Sequence, residues 1–269
     1  MSQEENKWQI NHLIENLKRN KDAVIVVGDK AVESLNLFAV NEDCKDIMNR
    51  KTMVKDPAKF WSFYQENISK QVFGKSPAED AIEELACTGL VKTIIDLNYT
   101  GNLINSDYLD RYEDLNIIQL KGDLDVLRCM SCGKEYDAEE GLLNTETVLK
   151  CNCKGKIAPT ITMFGEKYLD KNVKAVKDAL FTEEEDKVKL NTHCLIFIGV
   201  NFEESYINEL IDSYDAVKAE LSTDEDPYFT VIITDNDSIN INYYRPEFAT
   251  DDNIAESIKR LTAMINNID

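Results

Sequence analysis

Four cysteines stand in two close pairs near the middle of the chain. Cys129 and Cys132 are separated by two residues, and Cys151 and Cys153 by one, with residues 133–150 between the pairs. Two chelating turns that face each other can offer four thiolates tetrahedrally to Zn²⁺, and such a closed site leaves no position for a substrate. The spacing therefore predicts one structural zinc ion.

Two other interpretations compete with zinc: a redox Cys-x-x-Cys motif and a set of four unrelated buried thiols. Neither of them explains a second close pair. Basic neighbours also favour a metal, because four thiolates on Zn²⁺ carry a local charge of about −2 that cations can offset. These neighbours are Arg128, Lys150, Lys154 and Lys156. The Cys-x-Cys pair is the less usual clamp, because an extended backbone places both of its sulfurs on one side.

The length, composition and charge of the chain limit the kinds of molecule that it is expected to bind. The 269 residues, 43% of them hydrophobic, suit one large domain or a large domain with a smaller module. The chain has 50 Asp and Glu and 30 Lys and Arg, so its net charge is −20. This negative charge repels nucleic-acid phosphates and anionic lipid headgroups. We therefore expect neither a nucleic-acid nor a membrane partner. The acidic, polar N-terminus, the lack of a long apolar run and the odd cysteine count predict a soluble cytoplasmic protein.

The elements that position these residues follow from the apolar pattern. Residues 23–27 form a continuous apolar run that stops at Gly28, which is typical of a buried parallel strand. Further strands are predicted at 91–97, 116–120, 195–199 and 230–233, and helices at 8–17, 59–68, 78–87, 172–180, 206–221 and 253–268. Five strands that alternate with helices predict an α/β fold with a doubly wound parallel sheet.

Two stretches interrupt this alternation and predict a smaller second lobe. Residues 39–75 are mostly helical and polar and include an aromatic patch at 60–64, and residues 125–159 hold the paired cysteines. The larger lobe would then comprise 1–38, 76–124 and 160–269. Two charge runs, at 182–187 and 222–227, predict solvated loops.

Several stretches in combination resemble the sirtuins, the family of NAD-dependent protein deacylases. They are FWSFY at 60–64, LKGDL at 120–124 leading into RCMSCG at 128–133, IAP at 157–159 leading into MFGE at 163–166, and LIFIG at 195–199. The resemblance covers nearly the whole chain. It implies a large Rossmann-like lobe, a small lobe made of a helical insert and a zinc ribbon, and a cleft between them for NAD and an acyl-lysine peptide.

On the nucleotide side, the chain departs from what the resemblance implies. Sirtuins have a Gly-Ala-Gly-x-Ser turn after the first strand, where bare backbone N–H groups approach the phosphates, whereas here the turn reads GDKAV at 28–32. A carboxylate and two side chains would occupy space that needs glycine and positive potential. The cofactor-binding positions that still match are Gly28, Phe38, Asn98, Gly199 and Asn201. We therefore expect impaired phosphate binding and doubt that NAD is the cofactor.

The catalytic positions are altered as well. Asn98 stands where the family holds the nicotinamide ribose, but Thr100 replaces the aspartate that recognises nicotinamide. Lys121 stands where the family has the histidine that serves as general base. A lysine is protonated at neutral pH unless it is strongly desolvated, so Lys121 is not expected to act as a base.

The peptide side is better kept, because Phe164, Gly165 and Glu166 match the stretch that pairs with the acyl-lysine peptide by β-strand addition. The favoured hypothesis is a zinc-containing, sirtuin-like protein with impaired or absent catalysis that binds a peptide, a protein or a nucleotide in the cleft. The alternatives are an active NAD-dependent lysine deacylase or ADP-ribosyl transferring enzyme, and a subunit that docks to an assembly through its acidic surface and the 60–64 patch. The sequence makes no prediction of the oligomeric state.

Overall fold

A computed structural model of the chain describes residues 3–32, 42–66, 75–138, 148–163, 165–185, 187–202, 205–234, 248–250 and 253–267. The strands are β1 (Ala23–Val27), β2 (Val91–Asp96), β3 (Asn116–Gln119), β4 (Val126–Cys129), β5 (Glu135–Asp137), β6 (Ile157–Pro159), β7 (Phe181–Glu184), β8 (Lys187–Leu190), β9 (Cys194–Ile198), β10 (Phe229–Ile233) and β11 (Phe248–Thr250). The α-helices are α1 (Gln3–Asn20), α2 (Glu42–Ile47), α3 (Arg50–Lys55), α4 (Pro57–Tyr64), α5 (Pro77–Leu85), α6 (Asp170–Leu180), α7 (Ser205–Leu221) and α8 (Ile254–Asn267).

The main sheet has six parallel strands in the order β11-β10-β9-β1-β2-β3. Strands β1, β9 and β10 are buried at every position, because helices cover both faces of the sheet. Helices α1, α5 and α8 pack on one face, and α6 and α7 on the other. Continuous apolar strands are the pattern that such a two-sided core requires. The predicted doubly wound α/β fold is confirmed.

Two local predictions are wrong. The sheet gains a sixth strand, β11, whose three residues are too few to form an apolar run in the sequence. Residues 181–184 and 187–190 pair as antiparallel strands, although the charge run 182–187 predicted a loop. Opposite charges support this pairing: the Lys189 Nζ and Glu184 Oε2 atoms are 2.6 Å apart, and such pairs stabilise neighbouring strands.

A second core joins α2, α3 and α4 to a three-stranded sheet of order β5-β4-β6. Phe60, Trp61 and Tyr64 fill this core and are at most 1% exposed. The Tyr64 hydroxyl donates a hydrogen bond to the Leu124 carbonyl at 2.6 Å. The aromatic patch is therefore interior, which removes it as a docking surface. Within the described residues, every helix is too short or too polar to cross a membrane.

Candidate functional site

The four paired cysteines come together beside β4. All four Sγ atoms lie within 4.8 Å of one another. The Sγ atoms of Cys129 and Cys153 are 3.5 Å apart, and those of Cys132 and Cys151 are 3.7 Å apart. Zn–S bonds of about 2.3 Å at tetrahedral angles place sulfurs about 3.8 Å from each other. The cluster can therefore hold a tetrahedral metal ion.

Both cysteine pairs lie in tight turns. The Gly133 N–H donates to the Cys129 carbonyl at 2.9 Å, and the Lys154 N–H to the Cys151 carbonyl at 2.8 Å. Gly133 and Lys154 both have a positive φ, at 75° and 67°. The expected extended Cys-x-Cys clamp is wrong: the turn that begins at Cys151, rather than an extended backbone, directs both sulfurs of the second pair into the cluster.

Two residues that the sequence interpretation missed complete the cysteine cluster. The Tyr136 hydroxyl donates to Cys151 Sγ at 2.9 Å and lowers the pKa of that thiol to about 6, which favours the thiolate that a metal needs. Gly155 leaves room for the sulfurs, because a Cβ there would lie 2.6 Å from Cys129 Sγ. A glycine two residues after the second pair was the available signal for Gly155. Tyr136 had none, since only the β4–β5 pairing brings it to Cys151.

The turn after β1 uses most of its backbone donors inside the protein. Four N–H groups donate to backbone carbonyls: Gly28 to Ile198 at 2.8 Å, Lys30 to Gly199 at 3.0 Å, Ala31 to Gly28 at 3.2 Å and Val32 to Asp29 at 3.3 Å. A phosphate at this turn would have to compete with those carbonyls for the same donors. The Asp29 carboxylate adds a negative charge to the same turn.

Glycines at the ends of β1 and β9 allow these two chain segments to cross in close contact. A Cβ on Gly28 would lie 2.3 Å from the Gly199 carbonyl oxygen, and a Cβ on Gly199 would lie 2.4 Å from the Ala31 nitrogen. Gly199 also has a φ of +58°. Glycine is needed at these two positions because a side chain would overlap the backbone of the other segment.

Asn98 lies two residues beyond β2, at the same edge of the sheet as Gly28. Its backbone N–H and its Nδ2 both donate to Asp96 Oδ1 at 2.9 Å, and Nδ2 also reaches the Gly28 carbonyl at 3.3 Å. Since both partners of Nδ2 are acceptors, the amide is oriented with its Oδ1 away from them.

Asp96 is a buried carboxyl group that the sequence interpretation missed. It is 0% exposed, and no described residue donates a hydrogen bond to its Oδ2 atom. Burial raises the pKa of Asp96 to about 7, and the Glu79 carboxylate also raises it, while the Asn98 hydrogen bonds and the Lys121 charge lower it. The acidic residue at a strand end is visible in the sequence, but its burial depends on the helices packed around it.

A second buried carboxylate lies at the N-terminus of α5. Glu79 accepts the Ser76 N–H at 2.7 Å, and Ser76 Oγ accepts the Glu79 N–H at 3.1 Å, which forms a capping box. Asn102 Nδ2 donates to both Glu79 oxygens at 3.1 and 3.2 Å. The Ser76 hydroxyl donates to the Ala31 carbonyl at 2.8 Å, which ties this acidic cluster to the turn after β1. The capping-box spacing was the signal that could have predicted Glu79's role.

The remaining nucleotide-side positions share this edge of the sheet. Lys121 lies two residues beyond β3 and is half-buried, and its charge lowers the pKa of Asp96. Asn201 lies two residues beyond Gly199 and is also half-buried. Since all these strands are parallel, their carboxyl ends bring Gly28, Asn98, Lys121, Gly199 and Asn201 to one edge. Phe38 lies outside the described residues.

The peptide-side stretch is fixed by its own glutamate. Glu166 Oε1 pairs with Arg50 Nε of α3, and Glu166 Oε2 accepts the Met163 N–H at 3.2 Å. Gly165 has a φ of +78° with open space around its Cβ position. Phe164 lies outside the described residues.

Comparisons with known proteins agree on one family. The family model "Sir2 family" matches residues 36–190. Two relatives are NAD-dependent protein deacylase 1 of Archaeoglobus fulgidus, 31% identical over 125 residues (45% of this chain and 48% of that protein), and an NAD-dependent protein deacetylase of Sulfolobus acidocaldarius, 33% identical over 117 residues (42% and 44%). The matched stretch spans about half the length of these relatives.

The fold comparison extends over the whole chain. A solved Sir2 structure with a bound acetylated peptide superposes with a TM-score of 0.67 over 95% of this chain and 98% of that one, at 17% identity. At this identity the likeness concerns the fold. The sequence match to the family model, however, covers more than half of the 269 residues. The chain therefore belongs to the Sir2 family.

Proposed function

We propose that this Sir2-family protein binds a peptide or protein segment on a zinc-stabilised scaffold and has lost most of the NAD-dependent chemistry of its relatives. The observation that carries the proposal is the turn after β1, whose N–H groups at Gly28, Lys30, Ala31 and Val32 all donate to carbonyls of the protein itself. Anion sites at such turns depend on N–H groups that point at the ligand. Here those donors are already used.

The metal in this proposal is a structural zinc ion held by Cys129, Cys132, Cys151 and Cys153. The sulfur separations of 3.5 and 3.7 Å suit a tetrahedral ion. Four thiolates leave no open coordination position, so the ion would stabilise the fold and take no part in a reaction. The division into a large lobe and a small lobe, with the boundaries predicted above, belongs to the same proposal.

The residues at the carboxyl ends of the strands do not fit the phosphates of NAD. Besides the used donors, the Asp29 carboxylate lies in the turn, and the buried Asp96 and Glu79 carboxyl groups lie close enough together for Glu79 to raise the pKa of Asp96. The Asp29 and Glu79 carboxylates repel a pyrophosphate, and Asp96, with a pKa of about 7, adds to the repulsion only where it is ionised. We therefore derive no reaction step through NAD.

The family's general-base position is also unsuited to its role. Lys121 lies near enough to Asp96 for its positive charge to lower the pKa of that carboxyl group. A protonated lysine has no lone pair with which to accept a proton from a ribose hydroxyl. The proposal therefore assigns Lys121 no catalytic role.

The segment around Gly165 and Glu166 supports a peptide as the binding partner. Glu166 holds its segment through Arg50 and Met163, so the backbone beside Gly165 is held for pairing with an extended chain. A Sir2 structure of the same fold holds an acetylated peptide. The ligand in this proposal is an extended peptide, with acyl-lysine as the first candidate.

Replacing Lys121 with histidine tests the proposal. We expect Lys121→His to remain without measurable NAD-dependent deacylation of an acetyl-lysine peptide, because the turn donors and the nearby carboxyl groups are unchanged. A matched variant adds to Lys121→His a Gly-Ala-Gly-x-Ser turn in place of residues 28–32. We expect activity to rise in this second variant alone, by at least about 100-fold over background, the low end of what a general base contributes. Robust deacylation by Lys121→His alone would contradict the proposal.

A second candidate function, an active NAD-dependent deacylase with an atypical site, is favoured by one observation. Asn98 keeps its place at the carboxyl edge with its amide oriented by Asp96 and Gly28. Both compared relatives are named as NAD-dependent deacylating enzymes. Deacylation by the unaltered, zinc-loaded protein would favour this candidate.

A further inference from the structure

A pocket of about 470 Å³ lies beside the cysteine cluster, between α3, β4 and the segment that follows β6. Its lining includes Arg50, Arg128, Met130, Thr160 and Leu169. Two guanidinium groups thus line one pocket of a protein whose net charge is −20. Arg128 also belongs to the basic residues that flank the cysteine cluster, and Arg50 pairs with Glu166, but the nucleotide-side positions contribute nothing to this pocket.

Arg128 has no acceptor within the described part of the chain. It is half-buried in the middle of β4, where its neighbours Leu127 and Cys129 are buried. Glu135 lies directly opposite Arg128 in the β4–β5 register, yet its carboxylate pairs with Lys171 Nζ at 2.9 Å. No described residue accepts a hydrogen bond from the Arg128 guanidinium. A half-buried guanidinium whose N–H donors have no acceptor among the described residues can bind water or an anionic ligand.

Arg50 connects this pocket to the peptide-side segment. Its Nε pairs with Glu166, while its Nη1 lies 3.9 Å from the Met53 sulfur and 3.8 Å from the Met130 sulfur. Met130 is 57% exposed, so the pocket offers an apolar wall beside its charges. A peptide paired with the backbone at Glu166 would therefore pass near the opening of the pocket.

The zinc cluster does not cancel this positive charge. Four thiolates on Zn²⁺ carry about −2, whereas four basic residues flank the cysteines in the sequence, so about two positive charges exceed what the cluster needs. These residues are Arg128, Lys150, Lys154 and Lys156. Arg128 projects from β4 toward Gly133, where a Cβ would lie 3.2 Å from its Nη2. Its guanidinium thus covers the first cysteine turn and faces the pocket.

We propose that this pocket binds an acidic side chain of the bound peptide and that Arg128 is its main partner. The inference rests on the proposed peptide-binding function and adds a sequence preference to it. A carboxylate can accept two parallel N–H bonds from an arginine, which gives both charge pairing and a fixed direction. Met130 would cover the methylene groups of a glutamate, so we expect glutamate to be the best residue.

The test measures binding of fluorescent acetyl-lysine peptides to the zinc-loaded full chain by anisotropy. Glutamate, glutamine or lysine is placed at each flanking position in turn. We expect the best glutamate peptide to bind roughly tenfold more tightly than its glutamine counterpart, the usual gain from one charge-assisted pair. Arg128→Gln should remove this difference between the glutamate and glutamine peptides. Arg111→Gln, which removes an equal charge at an exposed site stacked on Tyr108, should keep the difference.

The outcomes separate the two claims. If the glutamine peptide binds but glutamate brings no gain, or if the gain survives in Arg128→Gln, the pocket assignment is wrong and the proposed function stands. If no peptide of the series binds, the proposed function and the pocket assignment both fail. A phosphoserine peptide and free inorganic phosphate serve as further probes. Competition by millimolar phosphate with the glutamate peptide in the unaltered protein, but not in Arg128→Gln, would further support an anion site at Arg128.

Discussion

Replacement of Cys151 by serine is expected to release the metal and to lower the melting temperature by at least about 10 °C. Cys151 is both a corner of the sulfur cluster and a buried member of the core that contains Trp61 and Leu127. Loss of one thiolate leaves the ion with three ligands and removes the link between the two cysteine turns. Metal affinity is coupled to folding in such modules, so the helices that pack on this core should loosen as well.

The measurements are elemental analysis and thermal unfolding of purified protein. The unaltered chain should contain about one zinc ion, and Cys151→Ser close to none. Cys87→Ser is the matched control, because Cys87 is half-buried and lies outside the cluster; its zinc content and melting temperature should stay near those of the unaltered chain. A chain that is fully folded without metal, or a Cys151→Ser variant as stable as Cys87→Ser, would contradict the zinc assignment.

Gly199→Ala is expected to lower the free energy of unfolding by about 2–6 kcal/mol, because two costs add there. A Cβ on residue 199 would lie 2.4 Å from the Ala31 nitrogen, and φ is +58°. Overpacking costs about 1–3 kcal/mol and a left-handed non-glycine residue about 1–3 kcal/mol. Since the contacting atoms belong to backbone, little relaxation is available. Unfolding in urea measures the loss.

Two matched variants separate these costs. Gly28→Ala brings the close contact without a positive φ, because Gly28 has φ −97°. Gly89→Ala brings a φ of +72° with nothing within 4 Å of its Cβ position. We expect Gly199→Ala to cost the most, and Gly89→Ala to cost about 1 kcal/mol. Equal losses for Gly89→Ala and Gly199→Ala would show that the close contact between the segments that follow β1 and β9 contributes nothing to stability.

The centre of the main sheet could be predicted because β1, β9 and β10 are buried at every position and therefore read as continuous apolar runs. β2 and β3 include exposed residues and were visible only as shorter runs. β11 was not, since three residues carry no periodicity. The pairing of 181–184 with 187–190 was missed because the charged side chains of these strands are exposed, whereas the packing of Phe181 and Leu190 on the core depends on tertiary contacts.

The residues of the candidate site also fall into a group that could be predicted from the sequence and a group that could not. Residues that act through spacing along the chain, the four cysteines, could be predicted from the sequence alone. Residues that act through tertiary contacts could not: Asp96 gains its raised pKa from the helices that bury it, and Tyr136 reaches Cys151 across the β4–β5 pairing. Impaired phosphate binding was predicted from Asp29 and the missing glycine. The use of the turn's N–H groups by carbonyls of β9 and the turn itself required the structure.

The central claim is that the turn after β1 does not hold the phosphates of NAD. Calorimetric titration of the zinc-loaded protein with NAD, with ADP-ribose as a comparison, tests it most directly. With the N–H groups of Gly28, Lys30, Ala31 and Val32 already donated to carbonyls, we expect no binding of either compound at millimolar concentration. Micromolar binding of NAD or ADP-ribose would contradict the account and would show that this turn rearranges to receive a pyrophosphate.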